Sequence, residues 1–122
     1  MPDCAALPSK WFSGYMTIPG TTRILHYNFV ESLDKPESDP IIVHFFGGPG
    51  CSSTYRMFVE GGPFIMDDGE TVIKPNPYPW NERANVMWIE SPAGTGFSYA
   101  SDSDDIKSND LQVSEDNFDV LK

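Results

Sequence analysis

Ile41-Ile42-Val43-His44-Phe45-Phe46-Gly47-Gly48-Pro49-Gly50-Cys51-Ser52-Ser53 is the stretch that decides the fold. Residues 41–46 are almost unbroken apolar, with the β-branched and aromatic content of a strand buried on both faces. Consecutive glycines and a proline then end the run, and Ser52 or Ser53 offers an N-cap for a short helix. A strand, a glycine turn and a helix in that order present backbone N–H groups at the end of a sheet with no Cβ in the way. Donors fixed where negative charge develops on a carbonyl oxygen are what an oxyanion hole requires.

Upstream, residues 11–18 alternate loosely and stop at Pro19-Gly20, and residues 23–30 form a second strand, paired with the first as a hairpin. A polar loop with Pro36 leads into the decisive strand. Downstream, short extended pieces at 63–66 and 71–74 precede a proline-stiffened turn, Asn76-Pro77-Tyr78-Pro79-Trp80. A second buried strand covers 85–90 and breaks at Ser91-Pro92-Ala93-Gly94-Thr95-Gly96, where the Ser91–Pro92 bond is a candidate for the cis form. Residues 110–122 suit a helix with Leu111, Phe118 and Leu121 near one face, and Asn109 with Gln112 as a capping box. The order is that of an α/β fold, a mixed sheet covered by helices on both faces. Two strands apolar on both faces with one substantial helix leave apolar surface bare, so a portion of a larger domain is expected, poorly soluble alone.

The 122 residues bound the chain at one small domain or part of one, and 39% hydrophobic residues exclude a disordered tail. Eight Lys plus Arg against eighteen Asp plus Glu give a net charge of −10, which repels nucleic acid. The acidic residues gather at Asp67, Asp68 and Glu70 and in the tail from Asp102 to Asp119; without EF-hand spacing, both groups read as solvated surface. No run of about 18 apolar residues is present, so no membrane span is expected. Met1-Pro2-Asp3-Cys4 lacks a basic start and apolar run, so no signal peptide is expected in the sequence as written. Cys4 and Cys51 allow at most one internal disulfide, with a free thiol or an outside partner equally open. His26 and His44 without a third ligand are a poor basis for zinc, and no cofactor is expected.

Gly-Gly-Pro-Gly-Cys-Ser-Ser at 47–53, Glu60-Gly61-Gly62-Pro63-Phe64, Asn76-Pro77-Tyr78-Pro79-Trp80-Asn81, Ala84-Asn85-Val86 and Glu90-Ser91-Pro92-Ala93-Gly94-Thr95-Gly96-Phe97-Ser98-Tyr99 follow in order. Together they closely resemble the serine carboxypeptidase family. Ser13-Gly14-Tyr15 and the segment 27–32 are similar to its leading hairpin, and 113–118 to its next helix, so the resemblance covers residues 1–122 as an N-terminal portion of an α/β-hydrolase domain.

The resemblance implies hydrolysis of C-terminal peptide bonds in acid by a Ser-Asp-His triad, with peptide or protein C-termini as substrates. It implies a lysosomal, vacuolar or secreted location. The family nucleophile sits in a Gly-Glu-Ser-Tyr-Ala-Gly elbow, and the chain ends before all three triad members, so the remainder of the parent chain is needed. Gly48 would supply an oxyanion N–H, Gly47 would lie beside the substrate's C-terminal carboxylate, and Glu60 would help bind that carboxylate with the elbow glutamate. Three facing acids cannot all be ionised, so one holds a proton, and raising the pH weakens binding. Cys51 would pair with a distant downstream cysteine. An acyltransferase on the same scaffold and a non-catalytic truncated form are the competing expectations.

One departure concerns the family's Trp-Leu-Asn before Gly-Gly, which here is His44-Phe45-Phe46. Phe46 cannot donate the amide hydrogen bond to the substrate carboxylate, a loss of about 1.5–3 kcal/mol. His44 is either a replacement donor or a buried strand histidine. Gly96-Phe97-Ser98-Tyr99-Ala100 imitates a nucleophile elbow, but a Pro/Gly loop separates it from the strand, which excludes Ser98 as nucleophile. Gly94-Thr95-Gly96 lacks the Gly-Lys-Ser/Thr of a phosphate loop.

Overall fold

A computed structural model describes residues 7–66, 69 and 71–122, so Cys4 and the acidic turn Asp67, Asp68 and Glu70 lie outside the described residues. Strand β1 (Trp11–Thr17) and strand β2 (Arg23–Val30) form the expected antiparallel hairpin, with Tyr15 opposite His26. Strand β3 (Ile41–Phe45) leads through the Gly-rich turn into a short helix α1 (Ser53–Arg56), which widens into a π-helical turn at Met57–Gly61. Strands β4 (Phe64–Ile65) and β5 (Lys74–Pro75) pair as a small separate ribbon. Strand β6 (Asn85–Ile89) returns to the main sheet, strand β7 (Tyr99–Ala100) adds a short edge, and helix α2 (Asp110–Asp119) ends the chain.

The main sheet runs β1-β2-β6-β3, with β7 also on β2. Only β3 and β6 are parallel, and they register Ile41 with Asn85 and Phe45 with Ile89. A parallel neighbour requires a crossover, and α1 with the β4–β5 ribbon supplies it.

Alternation along the strands sorts the side chains onto two faces. Leu25, Ile89, Ile18 and Ala93 form one core cluster, joined by Tyr27, Val43, Phe45, Met87 and Val120. Val30, Val86, Trp88 and Met57 form the other, joined by Trp11, Phe58 and Trp80. Strand β6 fits the expectation of burial on both faces, since Val86, Trp88 and Ile89 are fully buried. Strand β3 does not: Ile41 is 61% and Ile42 41% exposed, because β3 is an edge of the sheet and nothing among the described residues covers its start.

The sequence motifs between β3 and β6 fit one another. A Cβ on Gly61 would stand 2.4 Å from the Trp80 ring, so glycine is required for the two segments to touch. Asn76 donates to the carbonyls of Glu60 at 3.1 Å and Gly62 at 2.9 Å, which holds the end of the helical turn. Asn85 accepts from the Ser32 amide and donates to the carbonyls of Pro36 and Asp39, pinning loop 31–40 to the start of β6.

Helix α2 corrects an expectation. Asn109 accepts from the Gln112 amide as a cap, but Leu111 is 69% and Phe118 64% exposed. The helix docks through charge instead: buried Asp116 receives Arg23 Nε at 2.7 Å and Nη2 at 2.9 Å, and Asp105 takes Nη1 at 3.1 Å. Val120 packs below this pair into the first cluster. Breaking a buried pair by neutralising one partner costs about 3–5 kcal/mol. Asp116→Asn is therefore expected to free α2 from the sheet, measured as faster tryptic cleavage at exposed Lys107.

Candidate functional site

The Gly-rich turn is held from two sides. Ser53 is fully buried, and its hydroxyl donates to the Ile89 carbonyl at 2.8 Å and accepts from the Phe46 amide at 3.0 Å. The Ser52 hydroxyl accepts from the Tyr55 amide as the helix N-cap and donates to the Glu90 carboxylate. Between these anchors Gly47 and Gly48 are exposed, and neither amide donates a hydrogen bond among the described residues. The Cys51 thiol is free and exposed, and a Cβ on Gly48 would stand 2.8 Å from its sulfur. The Gly48–Pro49 and Ser91–Pro92 bonds are both cis.

Glu90 organises this end of the sheet although it is fully buried. Besides Ser52 it accepts from the Phe97 amide at 2.7 Å and from the Thr54 amide at 3.4 Å, and lies 3.1 Å from His26 Nδ1. Burial pushes its carboxyl up, but the hydrogen bonds from Ser52, Phe97 and Thr54 together with His26 outweigh that and hold it below the ordinary 4.5. Gly96, at φ +55, passes so close that a Cβ there would lie 2.0 Å from Glu90 Oε1. Ser98 is buried and spent on the backbone, donating to the Glu90 carbonyl at 2.6 Å and accepting from the His26 amide at 2.8 Å. It is not placed to act as a nucleophile.

His26 also brings Ser13 into line, with Ser13 Oγ 2.8 Å from Nε2 and Tyr15 and Phe97 against the imidazole. Ser13, His26 and Glu90 thus form a serine–histidine–carboxylate row that sequence reading missed, because nothing local marks residues 13, 26 and 90 as partners. Ser13 sits in the middle of the extended edge strand β1. No turn of converging amides flanks it there, as acyl transfer needs, so the row binds three strands together.

Glu60 lies near the end of the helical turn. Its carboxylate pairs with Arg56 Nε at 2.5 Å, with the side chains 37% (Arg56) and 43% (Glu60) exposed. The Arg56 guanidinium carbon lies 5.0 Å from the Phe46 ring centroid. His44 stacks on the Phe46 ring at 6.3 Å and meets Trp80 edge-on at 5.3 Å. Burial pushes the His44 imidazole below its usual value and Arg56 adds to this, while Glu60 opposes them. His44 is thus half-buried among rings, and its Nδ1 has no partner.

A family model described as serine carboxypeptidase matches residues 2–122. The chain belongs to the serine carboxypeptidase family. It is 42% identical over 123 residues to the Lysosomal protective protein of Mus musculus, covering 100% of this chain and 26% of that protein. It is 42% identical over 115 residues to Serine carboxypeptidase S10 family member 1 of Dictyostelium discoideum, covering 93% of this chain and 27% of the relative. The fold matches the prohormone-processing carboxypeptidase Kex1 of Saccharomyces cerevisiae with a TM-score of 0.71 at 24% identity, over 93% of this chain and 27% of that one. The chain spans about a quarter of the length of the curated relatives it matches. Its sheet is thus the corresponding part of a carboxypeptidase fold of α/β-hydrolase type.

Removing the Glu90 carboxylate leaves buried donors unpaired, at a cost of about 3–5 kcal/mol. In Glu90→Ala the Phe97 and Thr54 amides, which donate to the carboxylate, are expected to exchange with solvent roughly two orders of magnitude faster, read by amide hydrogen exchange. Because the Glu90 pKa is lowered on folding, its contribution is present above the ordinary carboxylate range and fades as pH falls through the folded value. Glu90→Gln is expected to abolish that acid-side loss.

Proposed function

We propose that this chain supplies the oxyanion loop and part of the carboxylate-binding site of a serine carboxypeptidase, the whole protein hydrolysing C-terminal peptide bonds. The observation that carries the reading is the pair of exposed amides at Gly47 and Gly48, free of internal partners among the described residues and braced by Ser52 and Ser53. Amides held rigid before reaction need no reorganisation as an alkoxide develops, and one such donor is worth about 10²–10³ in rate. In this reading Gly48 donates to the oxyanion, Gly47 lines the path of the substrate's C-terminal carboxylate, and Glu60 belongs to the site that receives it.

Substrates are then peptide or protein C-termini, and the lysosomal name of the mouse relative supports a lysosomal, vacuolar or secreted setting. The bond-breaking serine, aspartate and histidine come from chain outside these residues; no Gly-Glu-Ser-Tyr stretch occurs among the 122. A non-catalytic role on the same scaffold has Phe46 in its favour, since Phe46 cannot donate.

The test is a chimera in which residues 2–122 replace the matching segment of the Dictyostelium relative, assayed on an N-blocked dipeptide. Hydrolysis is expected, and Gly48→Pro, which deletes the N–H, is expected to lower kcat about 10²–10³-fold with KM little changed. A folded chimera without turnover would sink the reading. The 122-residue chain alone is expected to show no turnover in the same assay.

A further inference from the structure

The site reading above leaves the substrate carboxylate with a donor missing at Phe46. The structure places a cation over that ring. Arg56 closes helix α1, and its guanidinium lies over the Phe46 ring, next in sequence to the exposed Gly47 and Gly48 amides. Two groups flank it: the ring beneath, itself backed by His44, and the Glu60 carboxylate, an ion pair 2.5 Å from Nε that makes no hydrogen bond to it. Over a third of the Arg56 side chain is open to solvent.

A guanidinium carries five N–H donors in a planar fork, keeps its charge at any working pH, and engages carboxylates through two parallel bonds. Held over an aromatic face, it loses less freedom on binding than a free side chain would. Glu60 beside Nε balances the charge, and the exposed part of the side chain stays available to a second carboxylate. An uncharged, protonated acid is not needed to accept it.

We propose that Arg56 is the group that binds the substrate's C-terminal carboxylate in this protein, taking the donor role that Phe46 cannot fill. This rests on the reading of Gly47 and Glu60 as a carboxylate site. Its consequence is substrate recognition that persists toward neutral pH, where a site relying on a shared proton among acids would fail.

The chimera with the Dictyostelium relative tests it, using an N-blocked dipeptide with a free carboxylate and the same dipeptide as its C-terminal amide. Arg56→Gln is expected to raise KM for the free acid by about ten- to a hundredfold, with kcat nearly unchanged and KM for the amide unmoved. Phe46→Asn added to Arg56→Gln is expected to restore binding in acid but not at pH near 7. With Arg56 intact, KM for the acid is expected to change by less than about threefold between acid and neutral pH, because guanidinium does not titrate there. An unchanged KM for the acid in Arg56→Gln overturns the proposal while leaving the peptidase reading intact; loss of turnover on both substrates in both forms overturns the peptidase reading itself. Should the Arg56→Gln chimera fail to fold, Arg56→Lys replaces it: a raised KM for the acid and not for the amide supports the proposal, since an ammonium cannot engage a carboxylate through two parallel bonds, and an unchanged KM for the acid overturns it.

Discussion

The carboxylate of Glu90 is a buried anion, and the loops at the carboxyl end of the sheet are arranged around it. An ion withdrawn from water must recover its solvation from fixed dipoles, or it is lost to protonation or to unfolding. Here the recovery comes from separate segments: Ser52 and Thr54 at the start of α1, Phe97 in the loop after β6, and His26 on β2. None of these segments can drift without stranding the charge. The Gly-rich turn inherits its position from that requirement, since its far end is Ser52. Its near end is set by Ser53, whose hydroxyl bridges Phe46 to the carbonyl just before Glu90. Two serines adjacent in sequence thus tie one turn to one strand end, and the glycine amides between them are left facing outward.

The same logic of polar anchors in an apolar frame recurs across the sheet. Alternation along β2 and β6 makes two cores, but the elements that cover them are positioned by polar bonds. Asn28 takes the Trp11 indole at 3.0 Å and gives to Thr54 at 2.9 Å, linking β1 to α1 over the second core. Arg23 and Asp116 bring α2 to the first. Apolar burial supplies the bulk of the stabilisation, and these directional contacts select which loop lies where.

Strand positions were readable because hydrophobic runs and turn residues are local signals. The strand at 23–30, the serine cap expected at 52 or 53 and found at 52, and the bend at Ser91–Pro92 all rest on neighbours in sequence. The glycine-rich turn, the acid at residue 60 and the proline-rich segment were legible as an ordered series resembling one family. What stayed hidden was long-range polar pairing. Ser13, His26 and Glu90, or Arg23 and Asp116, are ordinary residues until the strands bring them together. The apolar positions of α2 misled for a related reason. A pattern at helical spacing says that a face exists, not that anything in the chain meets it, and here Asp116 rather than Phe118 faces the sheet. Arg56 escaped notice because its significance lies in stacking on Phe46, ten positions away across a turn.

The contact between Gly61 and Trp80 carries a consequence for how such a chain can diverge. With the indole occupying the space a side chain would need at position 61, the two positions constrain one another. Any larger residue at 61 demands a smaller one at 80 at the same time. The indole also packs against Trp88 and His44, so shrinking it unsettles both neighbours. Drift in this region is therefore expected to proceed by paired replacement, with single changes removed as they arise.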